Sequence, residues 1–130
     1  MYISILHNDD HLVLTDDPGR EAREDVVRVA AALRETLTGD HSVELVGVSH
    51  NVSEIYAAFA ERRPDVVLNL CESLAADSRG EMLVPAILEL MGVTYTGSSA
   101  LSLALALHKN KAKEILKARG VPTPLFSVIE

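Results

Sequence analysis

The chain has 130 residues, 48% hydrophobic and 24% charged, the balance of a soluble globular protein large enough for one domain with one core. A formal net charge of −7 argues against nucleic acid and anionic membranes, which reward Lys and Arg patches, yet one lysine at a helix end would still serve a small anion. The single cysteine, Cys71, excludes an internal disulfide and, with no basic-flanked leader, points to the cytoplasm.

Apolar runs of two kinds alternate along the chain. Residues 2–7, 43–49 and 65–70 are short and β-branched or aliphatic, the pattern of strands buried on both faces. Between the first two, Ala22, Val26, Ala30, Leu33 and Leu37 recur at helical spacing, with Gly39 as the stop. A shorter helix over 52–62 turns Ile55 and Phe59 inward and ends before Pro64. A third helix, 81–91, is expected to bury Leu83, Ile87 and Leu90 on one face, with Pro85 in its first turn or at a kink.

Gly92 stops that helix, and 93–96 read as a short fourth strand. Gly97, Ser98 and Ser99 turn into a fourth helix with a serine near its N-cap, whose apolar run, around Leu101 to Leu107, is too short to span a bilayer. The chain then bends around His108 and restarts as a helix to Arg119, stopped by Gly120. Pro122 and Pro124 read as a hinge, and 125–130 as the start of an extended strand. Strands alternating with helices predict an α/β fold: a Rossmann-like parallel sheet of about four strands with helices on both faces.

In such sheets ligands bind at the carboxyl ends of the strands. Three loops qualify: 8–19, 71–79 and 97–99. The first is long and acidic, with Asp9, Asp10, Asp16 and Asp17; the second holds Cys71, Glu72, Asp77 and Arg79. His7 and His11 flank the first acidic pair, but no regular element sets a ligand geometry, so a solvated polar loop is expected there rather than a metal site. Nothing in the sequence brings Cys71 to His50 as nucleophile and base, and a small buried thiol is the simpler reading. Neither the dinucleotide fingerprint nor the P-loop motif occurs.

Lys109, Lys111 and Lys113 are spread around the last helix, and spacing alone reads them as solvated charges. Lys109 differs in standing where the helix restarts, so that its ammonium and backbone N–H groups could meet a phosphate together. A bacterial phosphoacceptor receiver domain is one alternative reading, since Asp9-Asp10 follow the first strand and Thr96 ends the fourth. The third strand, however, ends in Asn69-Leu70-Cys71 without an acceptor Asp, and Lys109 follows a helix rather than a fifth strand.

A run of motifs supports another reading. Asn69-Leu70-Cys71-Glu72, Arg79-Gly80-Glu81, Leu88-Glu89-Leu90-Met91-Gly92-Val93, Tyr95-Thr96-Gly97-Ser98, Leu105-Ala106-Leu107, Lys109, Lys113 and Gly120-Val121-Pro122-Thr123-Pro124 follow in order without a gap. Over that half, the chain resembles the N-terminal (pre-ATP-grasp) domain of D-alanine–D-alanine ligase-like ATP-grasp proteins. The resemblance implies a ligase that phosphorylates a carboxylate with ATP and lets an amine displace the phosphate. It implies ATP and Mg for the full-length enzyme, none bound to this chain, and a small-molecule substrate such as an amino acid or similar carboxylate. It makes Lys109 the contact to ATP phosphates, and Glu72, Arg79 and Glu21 candidates for the substrate side.

The family's Gly-Gly-x-Ser-x-Glu motif after the first strand is replaced here by His7-Asn8-Asp9-Asp10-His11, and His108 stands where the family has Asp. The first substrate is therefore left open. The expected organisation is a pre-ATP-grasp domain over 1–121, with 122–130 a hinge and the start of an ATP-grasp domain that this chain lacks. Alone it is expected to be inactive. The non-catalytic alternative is a stand-alone binding or interaction module of the same fold, and uncovered apolar surface would favour a homodimer.

Overall fold

The computed structural model describes residues 1–9, 20–75 and 77–128. Asp10, His11, Asp16 and Asp17 of the first loop lie outside the described residues, as do Ile129 and Glu130. The elements run β1 (Tyr2–Asn8), α1 (Arg20–Leu37), β2 (Ser42–Val48), α2 (Ser53–Glu61), β3 (Val66–Asn69), α3 (Leu83–Leu90), α4 (Ala100–Leu107) and α5 (Lys109–Ala118). A short 3₁₀ turn, Ser78–Gly80, precedes α3.

The three strands are parallel in the order β2-β1-β3, with β1 central and buried throughout. Its side chains alternate between two apolar layers. Ile3 and Ile5 pack with Ala30, Leu33 and Leu37 of α1 on one face. Leu6 packs on the other with Val48, Ile55, Phe59, Val67 and Leu88. Helices on both faces explain why β1 carries no polar alternation. The α/β architecture follows the expectation, as does the inward placement of Ile55 and Phe59 in α2.

Three details differ from expectation. The sheet has three strands among the described residues, and the expected fourth, 93–96, is reduced to one parallel bridge between Val67 and Tyr95. Val67 N–H donates to the Thr94 carbonyl at 2.8 Å and Thr96 N–H to the Val67 carbonyl at 2.9 Å. The ladder stops there because Asn69 N–H, which would make the next rung, donates instead to the Thr96 hydroxyl at 3.2 Å. Gly92 and Gly97, with φ of 64° and 108°, turn the chain away on either side.

The second difference is the face that α3 buries. Val84, Pro85 and Leu88 are buried, whereas Leu83 is 43% and Leu90 79% exposed. Ile87 is partly buried against the core, as expected. The helix is apolar almost all round, so periodicity did not select its inner stripe. Pro85 lies in the first turn, where its missing N–H breaks no helical bond. Third, no strand forms over 125–128, and Leu125 is fully in solvent.

The bend before the last helix is as expected. Ser99 caps α4, its hydroxyl accepting from Ser102 N–H at 3.3 Å. His108 breaks the helical path with φ −96° and ψ 75°, and α5 restarts at Lys109. No helix among the described residues is long and apolar enough to cross a membrane.

Candidate functional site

A cleft of about 590 Å³ opens at the carboxyl end of the sheet, within the size range of small-molecule sites. Its walls come from α1, the end of β3 and the loop after it, Glu81, the Gly97–Ser98 turn and Leu103 of α4. Three carboxylates border it: Asp25 from α1, Glu72 from the loop and Glu81 just beyond the 3₁₀ turn. Among the described residues, no Lys or Arg lines it.

The loop is built before the carboxylates are placed. Leu70 N–H still donates to the Leu6 carbonyl at 2.8 Å, the last bond of the ladder. Beyond it the chain leaves the sheet. Asn69 Oδ1 accepts from Cys71 N–H at 3.2 Å, and Asn8 Oδ1 accepts from Glu72 N–H at 2.7 Å. Asn8 Nδ2 donates to the Ser73 carbonyl at 2.7 Å, and Ala75 N–H to the Ser49 carbonyl of the β2 end at 3.0 Å. Leu74 and Asp77 then close a small antiparallel bridge.

Glu81 has its carboxyl raised above the ordinary range, first by burial and then by the negative charge of Glu72. Two carboxylates held near each other in a partly dry cleft disfavour both being charged unless a cation arrives. The arrangement therefore suits a positively charged group such as an ammonium.

Of Glu72, Arg79, Glu21 and Lys109, the structure brings only Glu72 to this cleft. Arg79 is exposed and clamps Asp77, with Nε 3.0 Å from each carboxylate oxygen and Nη2 2.7 Å from Oδ2. That contact holds Asp77 below and Arg79 above their usual ranges. Arg79 thus closes the 3₁₀ turn rather than facing the cleft. Glu21 is exposed in the first turn of α1 and does not line it.

Lys109, the first residue of α5, is also exposed and outside the lining. The helix start beside it, at His108, makes no side-chain cap hydrogen bond. Cys71 is buried and borders the cleft, while His50 is exposed and bonded to the Ser49 hydroxyl. No group of three His, Cys, Asp or Glu side chains suited to a metal ion occurs among the described residues.

Sequence reasoning missed Glu81 and Asp25 as cleft residues. Glu81 stood inside the Arg79-Gly80-Glu81 motif, but only the 3₁₀ turn aims it back at Glu72. Asp25 carried no signal beyond a charge in an amphipathic helix.

No family model matches the chain. Curated relatives do. The chain is 33% identical over 108 residues to a D-alanine–D-alanine ligase of Methylorubrum extorquens (strain PA1), a match covering 82% of this chain and 33% of the relative. It is 41% identical over 76 residues to a D-alanine–D-alanine ligase of Jannaschia sp. (strain CCS1), covering 58% of this chain and 23% of the relative. A crystal structure of D-alanine–D-alanine ligase from Bacillus anthracis complexed with ATP superposes with a TM-score of 0.69 at 20% identity, covering 96% of this chain and 37% of that one. That likeness shows a shared fold. The matches span 33% and 23% of the lengths of these two curated relatives, so the chain corresponds to a third of their length or less.

Proposed function

We propose that this chain, similar over most of its length to part of D-alanine–D-alanine ligases, is the N-terminal, pre-ATP-grasp domain of an ATP-dependent carboxylate–amine ligase. In that role it walls the substrate site and does not carry out the ligation by itself. The observation that carries this reading is the acidic cleft at the carboxyl end of the sheet of a chain with such relatives.

An amino-acid substrate brings an ammonium and a carboxylate. Glu72 and Glu81 would take the ammonium, which relieves their mutual repulsion and leaves the substrate carboxylate pointing away from the acidic wall. In such a ligase that carboxylate would take the γ-phosphoryl group of ATP, releasing ADP, and an incoming amine would then displace phosphate and lose a proton. Lys109, with the uncapped first turn of α5, would stabilise charge on phosphate oxygens as a point cation. ATP and Mg²⁺ would be held mainly by the remainder of such a ligase.

The test is amino-acid-dependent phosphate release from ATP by this domain together with an ATP-grasp domain, on one chain or added separately. Turnover that requires both supports the reading; no turnover with any amino acid argues against it.

One observation favours a second, non-catalytic reading. Helices α4 and α5 bury no residue, and Leu101, Ile115 and Leu116 are exposed. An interaction module or homodimer would use that face. Sedimentation of the chain across concentrations separates the two, since a ligase domain of this kind need not self-associate through α4 and α5.

A further inference from the structure

We infer that Asn8 is the positioning residue of the Glu72 wall of the cleft: its side-chain amide, not the sheet ladder, sets where the loop after β3 stands. The inference rests on reading the cleft as the substrate site.

Asn8 is the last residue of β1 and its side chain is 1% exposed. Its backbone is paired with Val48 in the β1–β2 register, so the amide is presented from a rigid base. Two consecutive residues of the loop bond to it through their backbones. Oδ1 accepts from Glu72 N–H and Nδ2 donates to the Ser73 carbonyl, each at 2.7 Å.

One planar group that both donates and accepts fixes a peptide segment in position and in orientation. Asp lacks the donor, and Ser or Thr cannot span both groups. Beyond Leu70 no ladder bond holds this segment, and the loop is already curling away from β3. Because Ser73 is buried, its carbonyl needs a partner inside the protein. Glu72, held this way, borders the cleft beside Cys71, whose own N–H bonds to Asn69 Oδ1, and the Glu72 charge adds to burial in raising the Glu81 carboxyl.

A residue that merely satisfied buried peptide groups would change overall stability without changing the loop selectively. The experiment therefore follows Cys71 alkylation by iodoacetamide in the 130-residue chain, alongside urea unfolding. It compares the wild type, Asn8→Ala, Asn8→Asp and a control, Leu33→Ala, in the apolar layer on the opposite sheet face. Losing two bonds to buried groups predicts labelling about tenfold faster or more in Asn8→Ala than in the control at matched stability. Asn8→Asp keeps the acceptor but sets a carboxylate oxygen against the Ser73 carbonyl, so it too should label faster. It also keeps the test decisive where Asn8→Ala does not fold.

Labelling in the Asn8 variants that rises no further than in the stability-matched control would overturn the inference. The assay contains no ligand, so its outcome and that of the ligase reading stay separate.

Discussion

Glu72 and Glu81 border one cleft from two sides of a 3₁₀ turn, and the charge on Glu72 adds to burial in raising the Glu81 carboxyl. The pair converts an ordinary loop end into a site that gains from a cation. It also has a consequence for stability.

Glu81 holds its proton more tightly in the folded chain than in the unfolded one, where its value is the ordinary 4.5. Stability should therefore fall as pH rises from 4.5 through the raised value, and the penalty should be fully present above it. Glu81→Gln is expected to stabilise the chain at pH 7 and to flatten that part of the profile. Urea midpoints between pH 4 and 8 check this, and a variant less stable than wild type at pH 7 would count against the pairing.

At the other end of α3, the Tyr95 hydroxyl donates to Glu89 at 2.6 Å, and Ala100 N–H donates to the same oxygen at 3.1 Å. Burial, then Glu89, pushes the Tyr95 hydroxyl up to about 12. The native state keeps this proton longer than the unfolded state, so stability should fall as pH rises from 10 towards about 12. Tyr95→Phe should reduce that alkaline loss and remove the latest step from the tyrosinate absorbance titration, leaving the smaller raised contribution of Tyr2. Persistence of the late step in the variant would assign it to another tyrosine.

The orientation of α3 gives a sharp contrast between two leucines. Leu88 is fully buried and Leu90 is almost wholly exposed. Leu88→Ala should cost about 2–5 kcal/mol. Leu90→Ala should stay within about 0.5 kcal/mol. Denaturant titration of both variants reads the difference, and equal losses would mean that α3 is turned the other way.

The contrast between α1 and α3 also shows where sequence patterning succeeds. In α1 the apolar residues occupy one stripe, and Val26 and Ala30 of that stripe are buried while Leu33 and Leu37 pack on the core. In α3 nearly every position is apolar, so the spacing of Leu83, Ile87 and Leu90 carried no information about which side faces the sheet. The shortened fourth strand has a different cause. A side-chain hydroxyl, Thr96, takes the N–H that the ladder needed.

The candidate site was legible only in part, for a similar reason. Glu72 lies in a recognisable motif directly after a strand, where ligands are expected. Glu81 reaches the cleft through a 3₁₀ turn that Asp77 and Arg79 close, and Asn8 acts across a separation of 64 residues. Neither relation leaves a periodic trace. Lys109 was legible as a charge at a helix restart.

The most direct test of the central claim is the ATP dependence of amino-acid-driven phosphate release when this domain works with an ATP-grasp domain. Lys109→Ala is the variant to use, because Lys109 is exposed at the start of α5 and its loss should leave the unfolding midpoint unchanged. The account predicts that the variant needs at least about tenfold more ATP for half-maximal rate, the effect of removing a charge-assisted contact to phosphate. An unchanged ATP dependence, with wild-type turnover, would contradict it.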